Sequence, residues 1–308
     1  MQAASAHNLS VVTERRQGRD VTINVRDYGG TGPVALLHHA NGFSAGTWAL
    51  VADRLIDHFR VFAIDARGHG DSDATGATDD PDLSCFVRDE IAVAQALCRR
   101  CGTRQIAYGV GSSFGGVVTA VAAARRPGLF ERIAMLDPPI FSTPELKKRF
   151  DFAAPTENEW QGPPIEQTKR RRAHFPSLDE ARASWRTKGM FAQWPDTAFE
   201  LYLAECLRPA ADGGVELKCS PLVEAHVFAA NDNMDVLDYA PAVAIPVLYV
   251  RARKGFFPAA FCEGVSRLFP DCRYDEIDGG HLLPLEAPDA VVDRLLDFAG
   301  IKRTSARA

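Results

Sequence analysis

No stretch of the 308 residues stays apolar for the roughly 18 positions that a membrane-spanning helix needs, so a membrane-embedded function is not expected. Basic charge is not in excess either: 35 Lys and Arg against 40 Asp and Glu leave a net charge of -5. Such a chain has no field to gather nucleic acid. Residues 1–10 lack the basic start and apolar run of a secretory leader, and a cytoplasmic setting is expected. Cysteine is sparse and odd in number, seven in all, which argues against a disulfide framework. Cys98 and Cys101 do have C-x-x-C spacing, but they close a helical stretch just before Gly102. The helix dipole there raises a thiol pKa, and no second C-x-x-C completes a zinc site, so both are read as reduced helix cysteines. H-E-x-x-H and a phosphate-binding Gly-rich loop are missing too, and neither a metal nor an organic cofactor is expected.

What is present is the balance of a globular protein, 46% hydrophobic and 24% charged. Short β-branched runs alternate with longer helical stretches, the pattern of a mostly parallel sheet with helices on both faces. Residues 21–28 alternate as an exposed early strand does; 34–38, 61–64, 106–110 and 133–136 are continuous apolar runs, as in strands buried on both faces. Helices are predicted over 45–58, 82–101 and 117–126. Between residues 138 and 239 strand signal fades, and prolines and three tryptophans appear. The βαβ rhythm resumes at 247–250 and 272–277 and ends in a helix near 290–298. The expected organisation is therefore an α/β core over 1–137 and 240–308, with a mainly helical cap over 138–239 roofing the C-terminal edge of the sheet.

Gly111-Ser112-Ser113-Phe114-Gly115 fits G-x-S-x-G between a strand and a helix. The turn is tight enough to demand small residues two places either side of the serine, which holds Ser113 Oγ out over the sheet edge. The helix that follows aims its first amides at the same place. Ser112 fails the spacing, because Val110 stands two residues before it. A serine hydroxyl needs a base. Asp278-Gly279-Gly280-His281 follows the last predicted strand, and of the eight histidines only His281 has this placement.

With these motifs in this order, the chain resembles the α/β-hydrolase superfamily from about residue 28 to residue 298. The resemblance rests on the segment His38-His39-Ala40-Asn41-Gly42-Phe43, the segment Asp65-Ala66-Arg67-Gly68-His69-Gly70-Asp71-Ser72, the Ser113 turn and Gly279-Gly280-His281. It implies Ser113 as nucleophile and His281 as base, with the oxyanion held by the Asn41 and Phe114 amides; Gly42 leaves a register one residue later open. Arg67, His69 and Asp71 are read as a turn that supports the site. The acid departs from the commonest pattern, a carboxylate soon after the strand at 246–250. Here that stretch, Arg251-Ala252-Arg253-Lys254-Gly255-Phe256, has none. Asp137, at the end of the strand after the Ser113 helix, is the preferred acid; Asp235, Asp238 and Asp278 are rivals. Gly42, Phe43, Phe141, Trp185 and Trp194 are expected to bind substrate, although packing within the cap is the commoner role for such tryptophans. Lys169-Arg170-Arg171-Arg172 is read as a solvated basic face. The expected activity is hydrolysis of a small ester or lactone. Carbon–carbon bond hydrolases and perhydrolases of the same fold are the alternative, and a non-catalytic receptor is a more distant one.

Overall fold

A computed structural model describes residues 7–301 except 17, 81, 141–163 and 234–235. Eight strands form one sheet: β1 His7–Arg16, β2 Arg19–Gly29, β3 Val34–His38, β4 Arg60–Ile64, β5 Tyr108–Ser112, β6 Ile133–Leu136, β10 Val247–Ala252 and β11 Cys272–Ile277, in the order β1-β2-β4-β3-β5-β6-β10-β11. From β4 to β11 every neighbouring pair is parallel; β1 and β2 add an antiparallel edge. The parallel strands therefore share one C-terminal edge.

Alternation along the strands divides the core. Val34 and Leu36 face the helices Ser84–Cys101 and Phe114–Arg125, while Ala35 and Leu37 face Ala49–Leu55 and Pro288–Phe298. Helices cover both faces, so β3, β5 and β6 are buried at every position, which is why Val34–Leu37 and Ile133–Leu136 read as unbroken apolar runs.

The region after β6 carries the helices Ile165–Lys169, Leu178–Trp185, Asp196–Cys206 and Pro221–Asn233. It also holds a small sheet of β7 His174–Phe175, β8 Leu207–Pro209 and β9 Val215–Leu217. These strands span two or three residues, too short for a period-two pattern to show in the sequence. Their aromatic core joins Ala40, Phe43, Leu282 and Leu285, and so sits directly on the loops at the strand ends.

Several sequence-based boundaries shift. Residues 21–28 belong to a strand that is mostly buried, because β1, which has no distinctive pattern, covers its free edge. The helix expected at 45–58 is a 3-10 turn, Ala45–Trp48, followed by Ala49–Leu55. The strand expected at 106–110 lies two residues later, at Tyr108–Ser112. Cys98 and Cys101 are free, and burial pushes both thiols up. No described helix is long and apolar enough to cross a membrane.

Candidate active site

The chain leaves β5 through Ser113, whose φ of 53° and ψ of -123° place a non-glycine residue in a strained region. Ser113 N–H donates to Leu136 O at 2.8 Å, pinning the turn to β6. A Cβ on Gly111 would stand 2.3 Å from the Gly115 backbone, and one on Gly115 would stand 2.3 Å from His38 O. The two glycines of the motif are thus required by backbone packing across the turn. Phe114 begins the Phe114–Arg125 helix, and the first amide of a helix has no carbonyl one turn back to bond.

His281 follows β11 and brings Nε2 to 2.8 Å from Ser113 Oγ. Its Nδ1 lies 2.6 Å from Asp137 Oδ2. A carboxylate only accepts, so Nδ1 carries the hydrogen and Nε2 offers its lone pair to the serine. Asp137 itself has φ 46° and is 1% exposed; its Oδ1 accepts the Ala252 N–H at 2.9 Å. The last residue of β10 thereby supplies an amide to the carboxylate that follows β6. Among the rivals, Asp278 is exposed and paired with Lys254 at 3.0 Å, Asp238 lies in the Val236–Tyr239 helix, and Asp235 falls outside the described residues.

The loop after β3 is held by histidines. His39 Nε2 accepts the Ala66 N–H at 2.9 Å and Nδ1 faces Ala40 O at 2.7 Å. His69 spans Arg67 O and Asn41 Oδ1, at 3.0 and 3.2 Å. Burial holds both imidazoles below their ordinary pKa, His69 at about 4. Arg67 is fully buried and donates to both oxygens of Asp89. Asp71, by contrast, reaches outward to Lys218 at 2.9 Å. Beneath the Ser113 turn, His38 and Glu90 form a buried pair at 2.8 Å, with Thr119 donating to the other Glu90 oxygen.

Ser113, His281, Asn41 and Phe114 line a cavity of about 550 Å³ with Phe43, Met190, Val227, Phe228, Phe256, Phe257 and Leu282. Phe256 lies across the His281 ring at 5.0 Å between centroids. Of the residues expected to bind substrate, Phe43 is in this wall and Phe141 lies outside the described residues. The other three need correction. Trp185 and Trp194 do not reach the cavity: they pack with Phe191 and Tyr202, since an indole gains most by burial among other rings. Gly42 is covered, because the Glu224 carboxylate rests on it; a Cβ there would stand 2.9 Å from Oε1. The basic run also divides, for Arg171 turns inward and donates to both Glu224 oxygens at 3.1 and 2.9 Å and to Tyr202 Oη at 2.6 Å.

Two wall residues escaped the sequence reading. Glu286 accepts the Gly280 N–H through Oε2 and the Leu282 N–H through Oε1, both at 3.0 Å, and so clasps the backbone on either side of His281. Glu224 stands in the Pro221–Asn233 helix, far along the chain from both Ser113 and Asp137. Burial pushes its carboxyl up, and Arg171 draws it back down. Glu286 does have a local signal, a carboxylate just before Ala287-Pro288 at a helix start; Glu224 has none.

A sequence model of the alpha/beta hydrolase family matches residues 35–294. Among curated proteins, N-formylmaleamate deformylase of Pseudomonas putida is 29% identical over 88% of this chain and 90% of its own length. The 2-(acetamidomethylene)succinate hydrolase of Mesorhizobium japonicum is 26% identical over 90% of this chain and 91% of its own. The crystal structure of an E-2-(acetamidomethylene)succinate hydrolase superposes with a TM-score of 0.75 at 23% identity, covering 96% of this chain and 99% of that one.

Proposed function

Because the chain belongs to the alpha/beta hydrolase family, we propose that it hydrolyses a small carboxylic ester or lactone through an acyl-enzyme on Ser113. The observation that carries this reading is the unbroken hydrogen-bond line from Ser113 Oγ through His281 to Asp137, at 2.8 and 2.6 Å. In it, His281 Nε2 takes the hydroxyl proton as Oγ bonds to the carbonyl carbon. The oxyanion lies against the Phe114 and Asn41 amides, donors that bind charge only as it develops and contribute about 3 kcal/mol each. Collapse breaks the bond to the leaving oxygen, which receives the proton from Nε2. Water then repeats the sequence and frees the acid. Asp137 holds the ring in the right tautomer and steadies the imidazolium.

Residues 138–239 act as a cap that roofs the cavity, with 1–137 and 240–308 as the core, and reduced cysteines fit a cytoplasmic setting. The apolar wall suits an uncharged aliphatic or aryl acyl group. A second reading is cleavage of an acyl–nitrogen bond, favoured by the printed names of the two curated relatives, an N-formyl and an acetamido compound. Both names also denote acid anions. Among the described residues, the cation in the cavity wall is Lys254, already paired with Asp278. That favours the neutral ester or lactone.

A fluorophosphonate probe followed by a substrate panel tests the proposal. Labelling lost in S113A, with turnover of p-nitrophenyl butyrate or δ-valerolactone, is the expected result. An unlabelled Ser113 would remove the acyl-enzyme. Turnover of N-formylmaleamate alone would move the reaction to the acyl–nitrogen bond, and of ring-cleaved dienoic acids alone to a carbon–carbon bond.

A further inference from the structure

The acyl-transfer steps make no use of Glu224, an ionisable group of the cavity wall. Glu224 is 8% exposed, yet its side chain forms part of the wall that also holds Ser113 and His281. Its position relative to the oxyanion loop is fixed twice over: Asn41 Nδ2 donates to Glu224 O at 2.9 Å, and the carboxylate rests on the bare Cα of Gly42, whose φ is +81°. Arg171 approaches from behind. A single guanidinium nitrogen touches both carboxylate oxygens, while the other terminal nitrogen goes to Tyr202. Arg171 itself is not in the cavity wall. A substrate therefore meets the carboxylate and not the guanidinium. Each carboxylate has about four lone-pair sites, so acceptor capacity remains on Glu224 after this pairing.

The other charges nearby do not reverse that polarity. Both oxygens of Glu286 are taken by backbone amides of the His281 loop, and Lys254 is exposed and held by Asp278. A second carboxylate brought against the oxyanion loop would be desolvated beside Glu224 and, among the described residues, would find no cation in the wall that is not already paired.

We propose that Glu224 is a specificity-determining residue, which excludes substrates bearing a carboxylate beside the oxyanion loop and restricts the reaction to acyl groups uncharged there. The inference rests on the acyl-transfer reading and narrows its substrate class.

The test is a ratio of kcat/KM values for two substrates of matched size, p-nitrophenyl butyrate and mono-p-nitrophenyl succinate, in the wild type and in E224Q. The wild type should prefer the butyrate, after correction for the alkaline hydrolysis rates of the two esters. E224Q should shrink that preference by about tenfold, since one like charge is removed and Arg171 is released to meet an anion. Should the unpaired guanidinium unfold E224Q, the R171M/E224Q double variant removes both charges, and the preference should still fall. An unchanged ratio in the folded variant, or a wild type that prefers the succinate, overturns the inference alone. Failure of the wild type to turn over either ester, with Ser113 unlabelled, overturns the acyl-transfer reading and this inference with it.

Discussion

The bare Cα of Gly255 faces the carboxylate of Asp137 so closely that a Cβ there would stand 2.5 Å from Oδ2. The same Oδ2 bonds His281 Nδ1. The loop that in the commonest pattern would carry the acid is thus shaped to accommodate one delivered from the neighbouring strand. Its glycine makes room, and the Ala252 N–H at the end of β10 fixes Oδ1.

G255A should push Asp137 off the imidazole. No positive φ is found at this position, so alanine meets no backbone strain and the fold should persist. We expect kcat on an activated ester to fall by about tenfold or more, because small displacements within a catalytic line are costly. Thermal melting would confirm folding, and an undiminished kcat would contradict the contact.

Asp137→Asn removes the charge while keeping the shape. The imidazole then loses the partner that sets its tautomer, and kcat should drop by about four orders of magnitude with the melting temperature little changed. Activity near that of the wild type would transfer the acid role elsewhere.

Glu286→Gln leaves one carbonyl oxygen where two amides, Gly280 N–H and Leu282 N–H, now find a carboxylate. One amide must face an NH₂ group. The loop carrying His281 should loosen, lowering kcat by about tenfold while KM for the same ester holds. A parallel change in KM, or loss of stability without loss of turnover, would assign Glu286 a purely structural part.

His69 is buried, and burial holds its pKa at about 4 against an ordinary 6.5. Between those values the unfolded chain binds a proton that the folded chain does not, so stability rises with pH across the window. The contribution is complete above about 6.5 and is lost as pH falls toward 4, up to about 3 kcal/mol. Wild type should therefore lose more melting temperature than H69Q between pH 7 and 5. Equal losses would mean that His69 is charged in the folded state.

The serine turn and the late histidine were legible because their constraints are local. Gly111 and Gly115 are dictated by backbone atoms within a few residues of Ser113 or on the adjoining strand end, and chain order places His281 after the last strand. Asp137 could be inferred only because the usual acid position was vacant. The tryptophans misled because an aromatic in a cap is apolar whether it packs or binds, and composition alone does not say which way a ring turns.

By itself, then, the sequence determined the alternating α/β layers and singled out the Ser113 turn and the late His281 as candidates, since periodicity and tight turns act through neighbours along the chain. Tertiary structure alone decided that Arg171 turns inward to Glu224, that Glu286 clasps the His281 loop and that Gly255 makes way for Asp137. Each of these joins elements far apart in sequence or depends on which way a side chain points, and such contacts are fixed by packing at the common edge of the sheet.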